Sequence, residues 1–165
     1  LADGGKVGRI YTLSSDYKIL IDRDELVVYK DFSNNFYFNI KPEERYCLLD
    51  GKIEFESRII DNPEGGFPGR DEYWDELIDY DKIDKGFLVL RTWREGDKFI
   101  PLGMDKDKKI SDFFTDEKVA GHIKKGIPIL VSGGEIIWIC GYRISDKVKI
   151  TKRTRRILCL KCIFI

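Results

Sequence analysis

The chain has 165 residues, with 29 basic and 29 acidic side chains, one histidine and four cysteines, enough for one domain with an ordinary core or two small ones. A formal charge of zero argues against a uniformly basic nucleic-acid binder. No apolar run approaches the roughly 18 to 20 residues of a membrane-spanning helix, and four cysteines in a chain this long fit reduced, buried thiols better than a disulfide framework.

The N-terminus lacks the layout of a secretory signal, so the expected location is cytoplasmic, and a start at Leu1 without Met suggests a piece of a longer protein. In chain order, residues 17–21 and 26–29 flank a polar turn at 22–25 and read as two strands. Residues 36–40 form another short strand. Asp50-Gly51, between 46–49 and 52–60, is a strong hairpin signal. Ile53, Phe55, Ser57 and Ile59 alternate with Glu54, Glu56 and Arg58, which leaves one face of that strand wet. Residues 62–70, rich in Pro and Gly, read as a loop. From Asp61 to Asp84 nine acids face only Arg70 and Lys82, and a short turn or helix is expected near 78–83, with Tyr73 and Trp74 covering the sheet.

The stretch 88–114 holds the most unusual choices. Leu88, Leu90, Thr92 and Arg94 alternate with Val89, Arg91 and Trp93, which predicts a strand with two arginines leaving opposite faces. Glu95-Gly96-Asp97 and Pro101-Leu102-Gly103-Met104 are backbone stops that hold Phe99 in a short rigid loop. Ile110, Phe113 and Phe114, at i, i+3 and i+4, give a short amphipathic helix. Arg91, Arg94, Lys98, Lys106, Lys108 and Lys109 all lie here. Downstream, 127–131 and 136–140 flank Ser132-Gly133-Gly134-Glu135 as an apolar hairpin, and 147–150 and 157–165 read as the last strands. From Lys118 onward eleven basic residues face only Glu135 and Asp146, so the zero net charge hides a segregation that lets one end attract phosphates.

Other motifs read blandly. Ser132-Gly133-Gly134 is followed by Glu135-Ile136-Ile137, which suits a Gly-Gly hairpin and not a phosphate loop before a helix. Cys159 and Cys162 have C-x-x-C spacing but no second pair, and on a strand their sulfurs point to opposite faces, so no metal site is expected. His122 is the only histidine, and Asp112, Asp116 and Glu117 suit helix ends or arginine partners better than acid–base chemistry. Trp93, Trp138 and Phe113 are expected in the core, although Trp93 and Phe99 are also the aromatics that could stack on a base.

The run Arg91-Thr92-Trp93-Arg94-Glu95-Gly96-Asp97-Lys98-Phe99-Ile100-Pro101-Leu102-Gly103-Met104, followed by Lys108-Lys109-Ile110-Ser111-Asp112-Phe113-Phe114 and Asp116-Glu117-Lys118-Val119, resembles the C-terminal region of bacterial tRNA(Ile)-lysidine synthases. Ile127-Pro128-Ile129-Leu130 and the block 136–143 continue it through the second half.

The resemblance implies an α+β fold: a β-rich connecting region at 1–86, then a small β-sandwich-like tRNA-binding domain at 87–165 with one or two short helices. It implies a parent ligase that uses ATP and Mg to join lysine to the wobble cytidine of the CAU-anticodon tRNA(Ile), with this piece non-catalytic and holding no cofactor or metal. Candidate contacts to the acceptor-stem side of the tRNA are Arg91, Arg94, Lys98, Lys108, Lys109 and Lys118, with Lys124 and Lys125 standing in for arginines of the family pattern that are absent between 118 and 126. Gly96, Asp97, Phe99, Pro101 and Gly103 are expected to be scaffold. The alternative is a structural module that docks on the family's N-terminal ATPase domain or pairs as a homodimer, its arginines neutralised by Asp97, Asp112 or Asp116.

Overall fold

The computed structural model describes residues 9–14, 17–22, 25–30, 35–68, 72–84 and 86–164. Strands β1 (Ile10–Thr12), β2 (Tyr17–Asp22) and β3 (Glu25–Lys30) form an antiparallel meander. Strand β4 (Tyr37–Ile40) follows, and β5 (Arg45–Leu48) and β6 (Ile53–Asp61) make the hairpin that Asp50-Gly51 signalled. Its tip needs left-handed backbone, with φ of 54° at Asp50 and 83° at Gly51.

After β7 (Glu76–Asp79) comes a 3-10 turn, Tyr80–Lys82, capped by Asp79, whose Oδ1 accepts from Asp81 N at 3.1 Å. The buried Asp79 carboxylate also accepts from Thr154 Oγ1 at 2.6 Å, tying this corner to the loop before the last strand. Strand β8 (Leu88–Thr92) stops two residues earlier than its alternation predicts, so Arg94 sits in the following turn and not on a sheet face.

The second half adds β9 (Lys98–Phe99), β10 (Lys108–Lys109), α1 (Ile110–Asp116), α2 (Gly121–Lys124), β11 (Pro128–Ser132), β12 (Glu135–Ile139), β13 (Arg143–Ile144) and β14 (Arg156–Phe164). The strand expected at 147–150 is instead a 3-10 turn, Asp146–Val148. Ser145 Oγ accepts from Lys147 N and Ser145 O from Val148 N, a local cap that competes with extension and drops Val148 into the core.

Two sheets carry the fold: β13-β12-β11-β8-β4 and β5-β6-β14-β7. They face each other across a core that takes Leu88, Leu90, Leu130 and Trp138 from the first and Ile53, Phe55, Ile78, Leu158 and Leu160 from the second. On the outer face of the five-stranded sheet, Ile129, Val131, Ile136 and Ile139 pack under Ile110, Phe113 and Phe114 of α1.

A bulge explains why β12 is apolar on both sides. Leu130 faces Trp138 while Val131 faces Ile136, so Ile137 is the extra residue, and it turns inward beside Trp138. Cys159 and Cys162 do lie on opposite faces of β14, Cys162 in the central core and Cys159 under Trp74.

The division expected at residue 86 does not run between the sheets. Strand β4 pairs with β8, and β14 lies between β6 and β7, so strands from both sides of that position share both sheets.

Candidate nucleic-acid interface

The turn after β8 is built around Asp97. Its amide donates to Arg94 O at 3.1 Å, with Gly96 at φ 89° in the third position, where a side chain would be strained. The Asp97 carboxylate then accepts from Arg94 N at 2.7 Å and from both terminal nitrogens of Arg91, at 2.8 and 3.0 Å. Arg91 Nη1 also donates to Thr92 O at 2.9 Å, and only 12% of the Arg91 side chain is exposed.

Arg91 is therefore a scaffold residue, a correction to its expected role as an RNA contact. A guanidinium engaged bidentately and withdrawn from solvent has little left to offer a phosphate. Burial opposes ionisation of Asp97, but the hydrogen bonds from Arg91 and the Arg94 amide, with the charges of both arginines, outweigh it and hold the carboxyl below its ordinary range.

The second stop is built alike. Met104 N donates to Pro101 O at 2.9 Å with Gly103 at φ 86°, and Asp146 Oδ1 accepts from Gly103 N, fastening the loop to the turn after β13. Phe99 is 3% exposed and lies edge-on to Phe113, so it belongs to the core and offers no face to a base.

The remaining cations fall into two sets. Lys108 bonds to Asp116 at 2.6 Å and lies over the Phe113 ring, and Lys124 Nζ donates to Thr115 Oγ1 at 3.3 Å, so both are engaged internally. Arg94, Lys98, Lys109, Lys118 and Lys125 are exposed, and among the described residues none of the five is in an ion pair. Lys98 and Lys109 stand directly opposite each other across the β9–β10 ribbon, where like charges repel. Lys118 follows α1 at φ 54°.

Arg94 and Lys125 line one recess of about 460 Å3 with Asn35, Thr92, Trp93 and Glu95. Lys98 lines a different one, beside Lys147 and Glu135. The sequence missed Asn35 and Glu95; Asn35 lies 57 residues from Thr92 and reaches the recess only because β4 pairs with β8. Trp93 is both packed and available: its indole nitrogen donates to Lys124 O at 2.6 Å, its edge meets Phe114, and it still lines the recess.

The motifs set aside in the sequence have local explanations. Ser132 Oγ accepts from Asp84 N at the Gly-Gly turn, and the His122 ring meets the Tyr29 ring at a tilt of 43°, with centroids 4.8 Å apart. Asp112 accepts from Ser111, Asp116 from Lys108, and Glu117 faces Arg143, so the three acids do not converge. Among the described residues no His/Cys/Asp/Glu group is arranged to hold a metal, and no helix is long and apolar enough to cross a membrane.

These features define a helix-backed β-sandwich module with a cation-lined recess and an unpaired lysine ribbon on its surface. Comparison with known proteins narrows the class. Residues 88–159 match the TilS substrate C-terminal domain. The chain is 33% identical over 162 residues to the tRNA(Ile)-lysidine synthase of Clostridium tetani, covering 95% of this chain and 34% of that one. To the tRNA(Ile)-lysidine synthase of Caldanaerobacter subterraneus it is 37% identical over 113 residues, covering 68% and 24%.

The crystal structure of a TILS C-terminal domain superposes with a TM-score of 0.63 over 80% of this chain and 98% of that one, at 20% identity, a likeness of fold. The chain thus belongs to the tRNA(Ile)-lysidine synthase family and corresponds to its C-terminal part, spanning a quarter to a third of the length of these curated relatives.

Proposed function

We propose that this chain is the tRNA-contacting part of a cytoplasmic tRNA(Ile)-lysidine synthase and gathers the acceptor-stem side of the CAU-anticodon tRNA(Ile) through Arg94, Lys98, Lys109, Lys118 and Lys125. Lysine transfer to the wobble cytidine, with ATP and Mg, belongs to an N-terminal ATPase domain of the parent enzyme. The observation that carries the reading is that carboxylates bond Arg91 and Lys108 directly in this segment, whereas Lys98, Lys109, Lys118 and Lys125 are exposed with no described ion pair and the exposed Arg94 side chain meets Asp97 only through its charge. Exposed cations fixed to strands and turns suit phosphates, which position an RNA without reading its sequence.

Replacing both Arg94 and Lys125 by Ala should weaken binding to the tRNA. It should also reduce the slope of log affinity against log salt by about one for each phosphate that is no longer neutralised. Filter binding across a salt series measures both, and an unchanged slope removes these two residues from the interface.

A second reading has its own observation. On one face of the β1–β3 meander Tyr11, Tyr17, Leu26 and Val28 lie together, and each is more than two-fifths exposed. A sheet face this apolar suits docking, either on the ATPase domain or on a second copy. Leu26→Lys with Val28→Lys should then lower the melting temperature of the full-length enzyme or shift its mass to that of a monomer; no change in either excludes the docking role.

A further inference from the structure

Lys152, Arg153 and Arg155 lie outside the interface built around the Asp97 turn, on the loop 151–155 that leads into β14. This loop is fastened at nearly every residue. Thr151 N donates to Thr154 Oγ1 at 2.9 Å, Thr154 N to Thr151 O at 3.0 Å and Arg153 N to Thr151 Oγ1 at 3.2 Å. Thr154 is 2% exposed, and its hydroxyl is the one that donates to the buried Asp79 carboxylate.

A second loop, residues 62–67, clamps the first. Asn62 N donates to Arg155 O at 2.7 Å, Asn62 Nδ2 to Thr154 O at 3.1 Å and to Gly66 O at 3.0 Å, and Arg155 Nη1 to Pro63 O at 3.0 Å. Gly65, at φ 73°, comes so near Lys152 O that a Cβ there would fall 2.4 Å from it, an approach only glycine admits. The fastening uses backbone, threonines and Asn62, and it leaves Lys152, Arg153 and Arg155 exposed.

Among the described residues none of these three cations is in an ion pair, although the same corner pairs Lys82 with Asp79 and Arg156 with Asp81. Glu64 is the one acid in the clamping loop, and Asp61 before it acts on Arg156 through its charge. Like charges this close repel, and a ligand with several negative charges in a row offsets that cost. We propose that the paired loops form a second phosphate-binding surface, separate from the Arg94 turn, that grips the backbone of the same RNA.

The loops cap the start of β14 in the four-stranded sheet, whereas Arg94 follows β8 in the five-stranded one. Two grips on different sheets fix the direction in which an RNA crosses the module, where one grip leaves it free to pivot. Because the cations stand on backbone that is already ordered, binding loses little further entropy.

This inference rests on the RNA-binding reading, and the experiment separates the two. The whole chain is titrated with a CAU-anticodon tRNA(Ile) transcript by filter binding across a salt series. Lys152→Ala with Arg153→Ala should lower the slope of log affinity against log salt by about two. The control, Lys41→Ala with Arg58→Ala, removes the same charge from two other exposed sites without a described ion pair and should leave the slope unchanged. Gly65→Ala removes no charge but pushes on Lys152 O, so it should weaken binding about fivefold by loosening the loop. If its circular dichroism melt shows that it does not fold, the two alanine pairs decide alone.

An unchanged slope for Lys152→Ala with Arg153→Ala, while Arg94→Ala with Lys125→Ala still lowers it, overturns the second surface and leaves the RNA reading standing. An equal fall in the Lys41 and Arg58 control also overturns it, because net charge then accounts for the loss. A folded Gly65→Ala chain with unchanged affinity overturns the fixed geometry on which the surface depends. No binding of the transcript by the unsubstituted chain overturns both readings.

Discussion

Asp97 closes its turn with one hydrogen bond from Arg94 N and anchors Arg91 with two more, so one carboxylate sets both the loop's shape and the direction in which Arg94 leaves it. Removing the charge leaves Arg91 half-buried without its partner, and Asp97→Asn should cost about 2 kcal/mol at neutral pH. Because the folded carboxyl titrates below its unfolded value, the stabilisation is complete above the unfolded pKa of about 3.9. It is lost as pH falls through the lower folded value. Melting temperatures from pH 7 to 3 should therefore show wild type and variant converging at the acid end; a gap that stays constant with pH contradicts the ion pair. Sequence made the Glu95-Gly96-Asp97 turn legible, because only Gly suits its third position. It did not show what meets Arg91, since period-two alternation tells which face a side chain leaves and nothing about what lies there.

Strands β9 and β10 are only two residues each, yet they set Lys98 against Lys109, an unfavourable pairing of like charges. Lys98→Glu turns repulsion into attraction and should raise stability by about 0.5 kcal/mol while weakening tRNA binding. Denaturant melts and filter binding together test it, and effects of the same sign would contradict the assignment of this ribbon to RNA. The turn Asp146–Val148 shows why element type escaped sequence reading here. Lys147-Val148-Lys149-Ile150 alternates as a strand does, but the Ser145 cap is worth more than a short edge strand with no partner to pair with. Helix α1 was legible because Ile110, Phe113 and Phe114 repeat at helical spacing and all three are buried.

The two sheets are woven from both halves of the chain. Nine residues of β14 pair with β6 and four of them also with β7, while β8 is flanked by β4 on one side and β11 on the other. A chain cut to residues 87–165 would strip β14 of both neighbours and expose Leu158, Leu160 and Cys162, so it should show no cooperative thermal transition by circular dichroism. A sharp transition would show that the boundary expected at residue 86 separates independent folding units after all. Strand identity was readable here from alternation and Gly-Gly or Asp-Gly turns, whereas partner choice was not, because nothing local in Tyr37–Ile40 names Leu88–Thr92 as its mate.

The position of β14 also orders events at the ribosome. The strand that joins β6 to β7 is translated after every other strand of both sheets, so while its residues occupy the exit tunnel the four-stranded sheet cannot close or cover its five-stranded neighbour. A message interrupted before Arg156 therefore leaves the core face of the five-stranded sheet uncovered, with Leu88, Leu90, Leu130 and Trp138 open to chaperones and proteases.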